Sequence, residues 1–496
     1  MRMRAMGAIG LSAATALTAA ALSPVTATAA PGSTVAATAT ATAISTAAAP
    51  AKHRTYADYN GDGYPDLAIS ASEATVGTVE QAGAVAVAYG SATGIGKAGT
   101  RLVTQTDANG TEAPDPGGRW GRIQGFGDLD GDGLDDLVVM NARGDGRIWV
   151  LWGSKQGLSG STLLAVTAST TPHALDPWWV DVGDTDGDGI ADLVGTITRM
   201  GPSTYTEAGF GIVRGPVTRS GGFKPVRYRE TLRQDGTAPR GFVIADFTGD
   251  GRPDMGAISA NPWKQNLMVY KGTATGWTAS RQIALPGTRY MWMQPEIGDI
   301  NGDGAQDMVL GHRRTYTDPL GKIFVAYGGK DGFSTTLTPR RIDQDTPGVP
   351  GPLERYDSWG EARSLADVDK DGYADLAVGA EYKDAQGGTV RRAGSVTLLR
   401  GGKQGLTTAG ARTITQNTAG VPSTSEEMDR FGAAVAWVDG DRNGIPELYV
   451  GGPGEDKKVG RVWQLPAGTG TGATSFNLKE TGHPSGQALF GEQFAG

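Results

Sequence analysis

One nine-residue acidic segment occurs seven times along this chain of 496 residues: DYNGDGYPD from Asp58, DLDGDGLDD from Asp128, DTDGDGIAD from Asp184, DFTGDGRPD from Asp246, DINGDGAQD from Asp299, DVDKDGYAD from Asp367 and DGDRNGIPE from Asp439. The starts fall 53 to 72 residues apart. A long period held over seven copies points to units that bury their faces against one another, not to a string of unrelated domains. The 77 glycines and 7% aromatics agree, because they favour turns and short strands over long helices.

The spacing within each copy is that of a cation loop. Side chains at positions 1, 3, 5 and 9 of a tight turn can converge their oxygens on one centre, and glycine at position 6, present in all seven copies, permits the bend. Counting position 7 for its backbone carbonyl, the candidate ligands are Asp58, Asn60, Asp62, Tyr64 and Asp66 in loop 1 and Asp128, Asp130, Asp132, Leu134 and Asp136 in loop 2. Loop 3 offers Asp184, Asp186, Asp188, Ile190 and Asp192, and loop 4 offers Asp246, Thr248, Asp250, Arg252 and Asp254. Loop 5 has Asp299, Asn301, Asp303, Ala305 and Asp307; loop 6 has Asp367, Asp369, Asp371, Tyr373 and Asp375; loop 7 has Asp439, Asp441, Asn443, Ile445 and Glu447. Hard oxygen donors suit calcium, so up to seven structural Ca2+ ions are expected. Loops 4 and 7, where Thr248, Asn443 and Glu447 depart from the pattern, are expected to be the weakest. An EF-hand needs a bidentate Glu at position 12 and a helix on each side. Position 12 is instead Ile69, Val139, Gly195, Ala257, Leu310, Val378 and Val450.

The residues after each loop read as strand. Position 10 is always apolar, and runs such as GAVAVAYG from Gly83, GRIWVLWG from Gly146, GKIFVAYG from Gly321 and GSVTLLRG from Gly394 supply a further strand with its own turn. An aromatic-glycine pair sits eight residues before the first aspartate in three copies: Trp120-Gly121, Trp359-Gly360 and Phe431-Gly432. Together these residues resemble the FG-GAP repeat, the unit of the integrin α-chain propeller and of many secreted bacterial proteins. The resemblance covers nearly everything from about residue 53 onward. It is weaker before Asp184, Asp246 and Asp299, where the aromatic-glycine pair is missing. It implies an all-β fold, a seven-bladed β-propeller of four-stranded blades about 60 residues long, with a calcium loop in each. A further pair, Phe490-Gly491, lies 59 residues after Phe431 and has no loop after it, while the first loop has no pair before it. The C-terminal segment LFGEQFAG is therefore expected to join the first blade.

Ahead of the repeats, Arg2 and Arg4, an apolar segment and Ala27-Thr28-Ala29 read as a signal peptide over 1–30, cut near Ala29 or Ala30, with a flexible Ala/Thr-rich linker after it over 31–52. A secreted, extracellular protein with no membrane span after cleavage is expected. Cysteine is absent, so disulfides cannot staple it. The formal charge of -8 is located in the loops, because 24 of the 53 acids stand at positions 1, 3, 5 and 9. Without metal, carboxylates crowded this closely repel one another or take up protons. Calcium at about ten times its dissociation constant would contribute roughly 1.4 kcal/mol per site by linkage, and that contribution is our expected substitute for sulfur bridges.

Other chemistry is sparse. The four histidines form no HExxH motif, no G-x-S-x-G occurs, and Lys and Arg are too scattered to imply nucleic acid. Trp178, Trp179 and Trp292 lie just upstream of loops 3 and 5 and are speculative ligand-binding residues, able to stack on sugar rings or simply to pack between blades. Arg143-Gly144-Asp145 spells an integrin-recognised tripeptide, although a turn built of Gly and Asp needs no such explanation. The expected function is an extracellular binding or adhesion module for a protein or glycan, acting as a monomer. Two alternatives stay open: a calcium-dependent polysaccharide lyase or hydrolase, with His312, Arg313 and Arg314 as first candidates, and a purely structural surface protein.

Overall fold

The computed structural model describes residues 56–496 apart from 97–98, 110–112, 144–146, 165–172, 201–204, 223–226, 230–238, 260–264, 274–275, 287–292, 294, 313–315, 317 and 484–485. The leader, the linker, Trp292, Arg313, Arg314 and the Gly144-Asp145 half of the tripeptide lie outside the described residues.

The strand signals resolve into seven four-stranded antiparallel sheets. Six are continuous in sequence, over 120–164, 173–229, 239–284, 296–342, 363–414 and 434–476. The seventh combines Leu67–Ala71, Ala84–Ala88 and Arg101–Thr104 with the distant strand Phe494–Ala495. There Ala68 lies opposite Ala495 and Ile69 opposite Phe494, and the Ser70 N–H donates to the Gln493 carbonyl at 3.0 Å. We number the blades from this one, so that blade n carries loop n. Among the described residues, no helix is long and apolar enough to cross a membrane.

The middle strands of a blade are buried on both faces, so they read as unbroken apolar runs; LAISA, AVAVA and IWVL are buried at every position. The two-residue period then sends alternate side chains to opposite neighbours. In blade 2, Leu137, Val139, Trp149 and Leu151 join a cluster with Val85, Val87 and Val103 of blade 1, whereas Val138, Ile148 and Val150 pack against Val180, Val182 and Leu193 of blade 3. Seven such clusters lie between neighbouring blades, the last uniting Tyr449 and Val462 of blade 7 with Ile69 and Ala86 of blade 1. Each buried Val, Leu or Ile contributes about 1.5–3 kcal/mol, so the sheets hold one another. This is a seven-bladed β-propeller.

Candidate metal centres

Each acidic segment leads directly into the second strand of its blade, and loops 2 to 7 have a strand and not a helix on either side. Its shape comes from its own side chains accepting backbone hydrogens. In all seven loops the N–H at position 6 donates to the first aspartate, as Gly133 does to Asp128 Oδ2 at 2.8 Å. In all seven, too, the position-7 N–H donates to the side chain at position 5, as Leu134 does to Asp132 at 2.9 Å. The position-6 glycines have φ between 82° and 89°, the left-handed region that a β-carbon disfavours, and this accounts for their invariance among the copies.

Position 9 does a second job. Asp136 accepts from Leu129 N–H at 2.9 Å and, through its other oxygen, from Gly153 N–H at 2.8 Å, where the third strand of the blade ends. The same bond to a glycine at or just past the end of the third strand recurs at Asp66, Asp192, Asp254, Asp307 and Asp375, with Gly90, Gly215, Gly272, Gly328 and Gly401 as donors. Sequence reading missed these glycines as parts of the site, although their recurrence at the end of six third strands was visible. Burial, reinforced by neighbouring loop carboxylates, pushes Asp66 up to about 7, Asp136 and Asp307 to about 8, Asp192 and Asp375 to about 6, and Glu447 to about 7. Two backbone donors soften that cost at Asp66, Asp136, Asp192 and Asp307, and one backbone donor with the Arg400 guanidinium does so at Asp375, without abolishing it.

The predicted ligands converge to different degrees. Oxygens of Asp128, Asp130 and Asp136 lie within 4.8 Å of one another, as do those of Asp184, Asp186 and Asp192, leaving position 5 (Asp132, Asp188) outside both trios. In loop 6 the trio is Asp367, Asp369 and Asp371, and Asp375 is held instead by Arg400 at 2.5 Å. In loops 1 and 5 position 3 is an amide, and Asn60 Nδ2 donates to Asp62 at 3.0 Å. In loop 7 the buried Asp439 Oδ1 has no hydrogen-bond donor, the environment of an anionic oxygen suited to a cation. This donor set, all hard oxygen and short of protons to share, fits calcium.

The loops also touch one another. The position-1 carbonyl accepts the position-8 N–H of the next loop from Asp58 to Asp135 (3.1 Å), Asp128 to Ala191 (2.7 Å), Asp246 to Gln306 (2.8 Å) and Asp299 to Ala374 (2.8 Å). Loop 7 reaches loop 1 through Arg442, whose Nη1 donates to the Gly63 carbonyl at 2.7 Å. The acidic loops are thus part of the joint between blades.

Away from the loops, Trp178 is 46% exposed on the inner strand His173–Gly183, with the Arg122 guanidinium 4.8 Å from its ring centroid, and Arg240 lies 5.3 Å from the ring of Trp179. Arg122, Trp178 and Arg240 each stand six residues before the first aspartate of their own loop, so three adjacent inner strands present them at equivalent positions. His312 is fully buried, its Nε2 3.3 Å from Asp318 Oδ2, and burial together with Lys322 lowers it to about 4. A histidine sealed from solvent cannot meet a polysaccharide as a general base.

A propeller with an acidic hairpin loop in every blade is therefore the class. The FG-GAP-like repeat family matches residues 128–195 and 246–310, and the FG-GAP repeat family matches 56–87 and 359–399. Among curated relatives, the chain is 33% identical over 219 residues to the phosphatidylinositol-glycan-specific phospholipase D of Rattus norvegicus, covering 42% of this chain and 24% of that protein. It is 28% identical over 255 residues to integrin alpha pat-2 of Caenorhabditis briggsae, covering 47% and 19%. The chain spans about a quarter or less of the length of these relatives. Among solved structures, the Dos1 propeller aligns at a TM-score of 0.36 and 10% identity (74% of this chain, 71% of that one) and a Bacillus licheniformis rhamnogalacturonan lyase at 0.33 and 12% (78% and 80%). The chain is an FG-GAP β-propeller.

Proposed function

We propose that this propeller is a secreted, calcium-stabilised binding module that engages an extracellular protein or glycan. The leader-like start of the chain supports export. Asp58, Asp128, Asp184, Asp246, Asp299, Asp367 and Asp439, with the partners named for each loop, would hold the ions. Bound Ca2+ would supply the positive charge that the raised carboxyls call for. The chain's own residues do the rest: position 9 ties six of the loops to the third strand, and in four of them position 1 offers its carbonyl to the next blade, so order in one loop passes to its neighbour.

The observation that carries the binding role is the Arg122, Trp178, Trp179 and Arg240 group. A half-exposed indole with one guanidinium over its ring, and a second over the neighbouring indole, is a stacking surface for a sugar ring, with positive charge for an acidic one. The test is retention of the mature protein on immobilised neutral and acidic glycans. Retention that disappears in Trp178→Ala, with an unchanged melting temperature, is expected; retention indifferent to that substitution would sink the assignment of this surface.

A further inference from the structure

Three of the four loops that carry Asp at position 3 receive a guanidinium there. Arg219 sits on loop 2, its Nε 2.7 Å from Asp130 Oδ2 and its Nη2 2.8 Å from Asp132 Oδ2, while its plane lies over Trp152. Arg214, directly after the third strand of blade 3, pairs with Asp186 of loop 3. Arg400, ending the third strand of blade 6, is 2.6 Å from Asp369 in loop 6.

The pattern tracks charge. Counting positions 1, 3, 5 and 9, loops 2, 3 and 6 are the ones with four acids, and one guanidinium brings each set to a formal -3. Loops 1, 4, 5 and 7 carry three acids at those positions and already stand at -3; among the described residues no ion pair reaches loops 1, 5 and 7, while in loop 4, where position 3 is Thr248, the residue before the third-strand glycine, Lys271, pairs with the position-5 Asp250 at 3.1 Å. The position that Arg214 and Arg400 occupy before the third-strand glycine is Tyr89 in blade 1 and Tyr327 in blade 5. Their hydroxyls instead accept the Leu158 and Leu406 N–H of the next blades, at 3.0 and 3.2 Å. In loop 7 the position-3 acid, Asp441, is met by the neutral Asn443 Nδ2 at 2.9 Å.

We propose that Arg214, Arg219 and Arg400 are resident counter-charges that hold the position-3 aspartate and set how strongly its loop depends on a divalent cation. This rests on the reading that the loops take calcium. A guanidinium paired with loop carboxylates, two of them at Arg219 and Arg400 and one at Arg214, lowers carboxylate repulsion whether or not an ion is present, so loops 2, 3 and 6 keep their shape when calcium is withdrawn. Removing the arginine leaves four acids with no internal cation, and the loop then relies wholly on the ion.

The experiment compares melting temperatures in millimolar calcium and in EDTA for wild type, Arg400→Gln, the double variant Arg400→Gln with Asp369→Asn, and Lys479→Gln, an exposed charge-matched control outside the loops. The gap between the two conditions should widen by about 2 °C or more in Arg400→Gln, stay at the wild-type value in the control, and return to it in the double variant, which copies the amide chemistry of loops 1 and 5. An unchanged or narrower gap in Arg400→Gln overturns the proposal while leaving calcium stabilisation standing. Should that single variant fail to fold, the double variant decides: a wild-type gap supports the proposal, and a widened gap or a second failure to fold overturns it. Wild type that melts alike in both conditions and takes up no terbium removes the calcium reading, and this proposal with it.

Discussion

The joint between blades 6 and 7 and the joint between blades 3 and 4 meet the same demand by opposite means. At the first, Phe431 N–H donates to the Ala393 carbonyl at 2.8 Å, Gly394 forms a parallel bridge with Phe431, and a β-carbon on Gly394 would lie 2.1 Å from the Phe431 oxygen. Phe431 then packs edge-on against Trp463 with centroids 5.1 Å apart. At the second joint the contact is made by side chains: Phe210 lies 5.8 Å from Phe242 and 6.3 Å from both Tyr270 and Trp277. Backbone docking admits only glycine at the contact and so leaves a motif. Side-chain packing accepts many combinations of large residues and leaves none, which accounts for the missing aromatic-glycine pair before loop 4.

If that contrast is right, the side-chain joint should be the more sensitive to truncation. Phe242→Ala should cost about 3–5 kcal/mol in chemical denaturation, since Phe242 is 1% exposed and its loss opens a cavity. At the backbone joint, Gly394→Ala should cost about 2 kcal/mol from its left-handed φ of 88° alone, with the clash at Phe431 adding to it. A result near zero would show that the joint can open without penalty.

The backbone joint has a polar companion that sharpens the comparison. Glu455, buried beside Asp429, accepts from Gln416 Nε2 at 2.7 Å and Ser423 Oγ at 2.9 Å, and burial with the Asp429 charge pushes it up to about 7. A carboxyl that holds its proton more tightly when folded loses stability as pH rises from its unfolded value near 4.3 toward 7. Glu455→Gln should remove about 1 kcal/mol or more of that decline, read as a flatter melting temperature between pH 5 and pH 7. A variant with the wild-type slope would assign the titration elsewhere. The smallest effect belongs to Trp178→Ala, within about 0.5 kcal/mol, because that ring is half exposed and takes no part in the joint between blades 3 and 4.

Much of the architecture was legible. The seven acidic segments set the blade count, the apolar runs after them marked the strands, and the isolated Phe490-Gly491 pair led to the segment that pairs beside Leu67–Ala71. The candidate ligands were legible as residues but not as a geometry. Nothing in DVDKDGYAD says that Asp375 turns to Arg400 while Asp371 joins the trio, because Arg400 arrives from the end of a strand 25 residues downstream of Asp375. The Arg122, Trp178 and Arg240 alignment was hidden for the same reason, since its members belong to three separate blades.

Local chemistry, then, was determined by sequence alone: carboxylates on alternate positions around a left-handed glycine fold into an acidic turn, and the unbroken apolar run after it makes the next strand. Which carboxylates converge, which are answered by an arginine and which carbonyl the next blade leans on were decided only by tertiary structure. Those relations depend on backbone groups and charges supplied from other strands and other blades, which no nine-residue window contains.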